Sequence, residues 1–175
     1  MVSDLRIIKT KKAIKETFLE MRQTLPIEKI HVRELCRQAM INKSTFYNHY
    51  EDIYALEDEL ENEAIDKFLE NFKEKNCLFS DPVKFLTLMP PVFDANMEQL
   101  LPLFRENMDE AFFKLETKLR QYYETSDMSL EEKIRVSFIL NGTMHTLREL
   151  KFGEECDKEL FIAFLSKLIK KTSSH

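Results

Sequence analysis

A chain of 175 residues, 43% hydrophobic and 33% charged, has the balance of a folded globular protein, with room for one ordinary domain or two small ones sharing a core. Two glycines and five prolines are too few for the tight turns of a strand-rich fold, so the expectation is all-α, with long helices and short loops. The net charge of −5 is uneven: residues 1–50 hold ten Lys and Arg against five acids, while the other 125 residues carry a net −10, so a polyanion partner is expected for the first part alone. No apolar run of 18 residues occurs, which excludes a membrane-spanning helix. Met1–Lys12 is basic without an apolar core or a small-residue cleavage site, so it does not read as a signal peptide. Cys36, Cys77 and Cys156, odd in number and far apart, fit reduced thiols in a cytoplasm better than a disulfide framework or a zinc site.

The first helix is predicted over 7–24, because Ile14, Phe18, Met21 and Leu25 recur on one face and Pro26 stops it. A short helix over 32–39 turns Leu35 and Ala39 inward. Asn42 is an N-cap for a helix over 43–50, with Ile41 and Phe46 at the spacing of a hydrophobic staple. Asp52 caps a long acidic helix reaching about Lys75, and Ser80-Asp81-Pro82 is the next start signal. Pro90-Pro91 should interrupt or kink the helix that this signal opens, leaving helices near 92–104 and 107–124. Ser129 and Glu132 form a capping box for a helix over 130–152 that Gly153 ends. Asp157 caps the last helix, whose stripe is Phe161, Phe164, Leu165 and Leu168.

Three short helices within about 45 residues, the last two joined by a tight turn, describe a helix-turn-helix, whose second member enters the major groove of duplex DNA. Within 43–50, Phe46 and Tyr50 are four apart and should face a small core, leaving Lys43, Thr45, Tyr47, Asn48 and His49 to project outward or sideways. Lys43 can donate to guanine or to a phosphate, and Asn48 offers the paired donor and acceptor that adenine matches. Ser44, Thr45 and the Tyr47 hydroxyl suit phosphate oxygens, and Thr10, Lys11 and Arg33 could clamp the flanking backbone.

The string Ile41-Asn42-Lys43-Ser44-Thr45-Phe46-Tyr47-Asn48-His49-Tyr50 resembles the recognition-helix signature of the TetR family of repressors. The likeness extends upstream through Thr10-Lys11-Lys12-Ala13-Ile14 and Val32-Arg33-Glu34-Leu35, and downstream to Leu56. It implies a DNA-binding domain over 8–68, with the helix-turn-helix at about 31–50, and a helical effector-binding and dimerisation domain over 69–175. Three positions depart from the family pattern. Met40 stands where the family has Gly, so a different, Gly-free turn is expected, since positive φ is costly for Met. His31 replaces a capping Thr while Glu34 keeps half of that capping box, and Ile53 replaces a Lys that touches phosphate.

The resemblance further implies a homodimer paired through about 130–171, matching a palindromic operator, and release from DNA by a small, largely apolar effector. Gly142, in mid-helix, fits a close approach either by a partner helix or within one subunit. Phe79, Phe85, Leu88, Met89, Phe93, Met97, Leu101, Phe104, Met108, Phe112 and Phe113 could line an effector pocket or simply fill a core. Asn141, His145 and Arg148 are candidate polar contacts with no role assigned. No Gly-rich phosphate loop, His-Glu-x-x-His or Cys-x-x-Cys occurs, so the reading is a cytoplasmic DNA-binding regulator rather than an enzyme, with no cofactor, metal or membrane partner. A TetR-like coactivator or adaptor with reduced DNA binding is the alternative.

Overall fold

The structure is a computed structural model that describes residues 2–149 and 158–173. Among them there is no strand. The chain runs α1 (Val2–Arg22), a single 3₁₀ turn (Ile27–Lys29), α2 (Val32–Gln38), α3 (Lys43–Tyr47), α4 (Ile53–Asn71), a second 3₁₀ turn (Lys75–Cys77), α5 (Pro82–Phe104), α6 (Met108–Tyr123), α7 (Leu130–Glu149) and α8 (Lys158–Ser173). The expected all-α fold is thus found. Among the described residues, no helix is long and apolar enough to cross a membrane, and no group of three or more His, Cys, Asp and Glu is placed to hold a metal ion.

The capping residues act as their types dictate. The Asp52 carboxylate accepts from the Ala55 N–H at 2.8 Å and so starts α4, and Asp81 accepts from Lys84 N–H at 3.2 Å ahead of α5. At α7 the box closes in both directions: the Glu132 carboxylate accepts from the Ser129 N–H at 2.8 Å, and the Ser129 hydroxyl accepts from the Glu132 N–H at 3.3 Å. Gly153, Cys156 and the Asp157 cap lie outside the described residues, as do the side chains of Phe93, Arg148 and Phe161.

The expected interruption at Pro90-Pro91, with a separate helix near 92–104, is corrected. Helix α5 passes through both prolines without a break, although neither can donate a backbone hydrogen bond to the carbonyls one turn back. Apolar burial on either side, by Phe85, Leu86 and Met89 before and by Leu100, Leu103 and Phe104 after, outweighs those missing bonds.

Two compact units divide the chain. The first comprises residues up to 64 together with 98–106, and the second comprises 65–97 with the described residues from 107 onward. Helices α4 and α5 therefore each belong partly to both. The core of the first unit holds Ile14, Phe18 and Met21 of α1, three of the four residues of the stripe read from the sequence, with Leu35, Cys36, Phe46, Tyr50, Ile53, Leu56 and Leu60; the fourth, Leu25, lies past the end of α1 and is half-buried. Ile53, at the start of α4, is among the buried residues of this core.

In the second unit Phe68, Phe72, Leu78 and Phe85 are buried, with the Phe72 and Phe85 rings 5.0 Å apart at 60°. Tyr123 of α6 pins the loop after α4. Its hydroxyl accepts from the Leu78 N–H at 3.2 Å and donates to the Lys75 carbonyl, and Phe79 packs edge-on against its ring. Burial holds that phenol above its usual range. Helices α6 and α7 pack through Ala111, Leu115 and Leu119 on one side and Val136, Ile139, Leu140 and Met144 on the other.

Candidate functional site

Seven residues of α2, a short turn and five residues of α3 carry most of the side chains singled out in the sequence. The inner faces are fixed by Leu35 and Cys36 of α2 and Phe46 of α3, all buried, with Tyr50 beyond the end of α3 stacked at 5.7 Å from Phe46.

The turn does not take the glycine-free backbone expected for it. Met40 adopts a φ of 54°, the left-handed conformation, and no other described non-glycine residue has a positive φ. The cause is a two-bond end to α2: the Ile41 N–H donates to the Cys36 carbonyl at 2.9 Å, and the Met40 N–H to the Arg37 carbonyl at 3.4 Å. These bonds satisfy carbonyls that the end of a helix otherwise leaves open. They hold a methionine, 92% exposed, where glycine is ordinarily required. Left-handed φ costs an ordinary residue about 1–2 kcal/mol, and the greater freedom of glycine in the unfolded chain offsets about half of that. Met40→Gly is therefore expected to raise the thermal midpoint by about 1–4 °C; a lowered midpoint would contradict the strain.

Asn42 starts α3. Its side-chain oxygen accepts three hydrogen bonds: from the Thr45 N–H at 2.8 Å, the Thr45 hydroxyl at 2.8 Å and the Ser44 hydroxyl at 2.7 Å. Ser44 and Thr45 thus spend their hydroxyl protons on the cap. Either must turn away from Asn42 before it donates to a phosphate. Lys43, Tyr47 and Asn48 are exposed on the outer side of the helix, and His49 is half-buried beside Tyr50 at 6.4 Å between ring centres.

The flanking candidates divide. Arg33 is exposed on α2. Thr10 turns its hydroxyl back to the Arg6 carbonyl at 2.9 Å, within α1. Lys11 is engaged across the unit: its ammonium donates to both Glu59 oxygens, at 2.9 and 3.1 Å, and lies 5.2 Å from the centre of the Tyr50 ring. Lys15 reaches the same Glu59 and also Glu63, and the Tyr50 hydroxyl approaches Glu59 at 3.3 Å. This network ties α1 and α4 to the residue just past the end of α3. Its two lysines hold Glu59 below the ordinary carboxylate value despite the burial that opposes them. Lys11 is thus held between Glu59 of α4 and the ring of Tyr50.

The half capping box at α2 is not used as a cap. His31 caps with backbone only, and Glu34 instead takes Arg37 at 2.6 and 3.0 Å and Gln38 at 2.8 Å, which holds its carboxyl well below the usual range.

One constellation went unread in the sequence. Arg22, 1% exposed, meets Glu57 at 2.9 Å and Glu106 at 2.6 Å. A signal existed: Arg22 is four residues after Phe18, on the buried stripe of α1, where a charge needs partners.

In the second unit, two clefts open between α6 and α7. One of about 320 Å³ is lined by Phe112, Phe113, Glu116, Asn141, Met144 and His145. The other, about 510 Å³, is lined by Arg120, Glu124, Lys133, Ile134, Ser137, Phe138 and Asn141. Of the eleven apolar residues proposed for a pocket or core, Phe112 and Phe113 face the smaller cleft, whereas Phe85, Met89 and Phe104 are buried in packing. Asn141 and His145 come together at that smaller cleft.

Compared with protein-family models and with curated proteins, the chain matches none.

Proposed function

We propose that this protein is a DNA-binding transcription regulator resembling the TetR family, and that α2, the Met40 turn and α3 act as a helix-turn-helix. In this reading it binds a palindromic operator as a homodimer, with α3 in the major groove, and is released by a small, largely apolar effector. The observation that carries it is the division of α3. Phe46 is fully buried on one side, while Lys43, Tyr47 and Asn48 stand exposed on the other, within a stretch of 50 residues whose net charge is +5. Selection from random duplexes tests it. The expected result is a palindrome with half-sites about one helical turn apart and affinity that falls with salt. Failure to enrich any palindrome, with salt-independent binding, would overturn it in favour of an adaptor.

Pairing is supported by exposed apolar stripes in the C-terminal helices. Leu130, Ile134 and Phe138 recur every four residues on α7, and Leu160, Phe164 and Leu168 do so on α8, all at least 45% exposed. Gly142 continues the α7 stripe. Among the described residues, a Cβ placed on it would meet nothing within 4 Å, which favours a partner helix over a contact inside one subunit. Gly142→Ala should thus favour the isolated helix by about 1 kcal/mol while weakening the dimer about tenfold, read by sedimentation. An alanine variant that dimerises as tightly as the parent would remove Gly142 from the interface. The effector reading rests on the 320 Å³ cleft, which has the volume of a small-molecule site and the apolar walls of Phe112, Phe113 and Met144.

A further inference from the structure

The Arg22 cluster lies wholly within the first unit and joins three helices. From the end of α1 the guanidinium donates to the Leu25 carbonyl at 3.0 Å, to the Leu103 carbonyl in the last turn of α5 at 3.0 Å, and to Glu106 at 2.6 Å. Arg105 returns the contact, donating to the Gln23 and Arg22 carbonyls at 3.1 and 3.3 Å. Each arginine thereby satisfies backbone carbonyls that the end of the other's helix leaves open. Glu57 of α4 completes the group from the other side, but poorly. Its Oε1 is 2.9 Å from Arg22 Nε, yet neither atom has a partner in hydrogen-bonding alignment. Two carboxylates thus share one buried cation, Glu57 at Nε and Glu106 at Nη2, and a third, Glu61, adds its charge from the same helix as Glu57.

We propose that this cluster is a proton-gated latch: when Glu57 is protonated, Arg22 is given over to Glu106 and the Leu103 carbonyl and the end of α5 closes onto α1, and when Glu57 loses the proton the end of α5 loosens. The charges facing Glu57 are Arg22 from α1, Glu61 on α4 itself and Glu106 beyond α5, with Arg105 beside Glu106. Burial pushes the Glu57 carboxyl up to about 7, with Arg22 opposing and Glu61 and Glu106 adding to the rise. Glu106 is held low by the same arginine and stays ionised throughout. If opening returns Glu57 to an ordinary carboxylate value, linkage requires the closed latch to bind the proton more tightly. Opening then becomes about tenfold more favourable between pH 6 and pH 8.

Two measurements on the full chain test the latch, and neither needs DNA. A carbon-detected titration of the glutamate carboxyls, with Glu57 assigned by its absence in Glu57→Gln, should give a midpoint near 7 for Glu57; a midpoint at or below 5 overturns the proposal. Hydrogen exchange of the amides in the last turn of α5, corrected for intrinsic rates, should lose about tenfold protection from pH 6 to pH 8 in the parent. In Glu57→Gln, which fixes the neutral form with the same shape, protection should be equal at the two pH values. Glu106→Gln should lower protection at both. Equal protection in the parent, or an undiminished pH effect in Glu57→Gln, overturns it.

Discussion

Phe46→Ala is expected to lower stability by about 3–5 kcal/mol, the cost of truncating a fully buried aromatic in a core that closes only partly over the space. Phe46 has no exposed surface and contacts Tyr50 and the edge of Tyr47 at ring-centre distances of 5.7 and 5.5 Å, so its loss frees the whole inner face of α3. In a chain of this length the thermal midpoint should fall by about 6–20 °C. Lys43→Ala, on the opposite face, should leave the midpoint within about 2 °C. Under the proposed function the same change weakens binding to the selected duplex by roughly 5–150-fold if Lys43 reads a base edge. If Lys43 instead meets a phosphate, affinity falls about evenly across sequences and the salt slope drops by about one. The pair separates folding from recognition: an unchanged affinity in Lys43→Ala, with a folded protein, would refute its contact with DNA. Tyr47→Phe extends the test to the exposed hydroxyl.

How much of this was legible depends on the range of the interaction. Caps and stripes are local, so Asn42, Asp52, Asp81 and the Ser129–Glu132 box, and the buried face Ile14, Phe18 and Met21, could be read directly from spacing. The continuity of α5 could not, because proline chemistry is local and argues for a break, while the burial that overrides it is distributed over residues up to 19 positions apart. Lys11 shows the same limit at the candidate site. Its engagement by Glu59 had no local mark, because that partner is 48 residues away and becomes a neighbour only once α1 and α4 pack. Met40 was legible as an anomaly and misread in its resolution. The two backbone bonds that end α2 demand the left-handed residue whatever its side chain, so the strain is kept rather than avoided. The inclusion of 98–106 in the first unit had no local mark at all.

Arg22→Ala should be the most damaging change of a polar residue, at about 3–5 kcal/mol above pH 7, because it opens the Leu25 and Leu103 carbonyls and, once Glu57 has lost its proton, leaves that charge without its cation. The direction with pH is set by Glu57. Its folded value is raised above the ordinary 4.5, so the native state holds a proton that the unfolded chain has released. The contribution is therefore fully present below about 4.5 and is lost as the pH rises through about 7. Glu106 runs the other way: its value is depressed, so its contribution is present above the ordinary carboxylate value and fades as the pH falls below it. Between these limits the parent protein should become less stable from pH 6 to pH 8, as measured by urea unfolding at each pH. The penalty of Arg22→Ala should be larger at pH 8, where Glu57 must either stay charged without a partner or take up a proton from a scarce supply. The double variant Arg22→Met with Glu57→Met should recover much of the loss, since a buried ion pair exchanged for packed apolar side chains is often neutral, and it should flatten the fall between pH 6 and pH 8. A penalty for Arg22→Ala below about 1 kcal/mol, or one equal at the two pH values, would mean that the charge of Glu57 does not depend on Arg22.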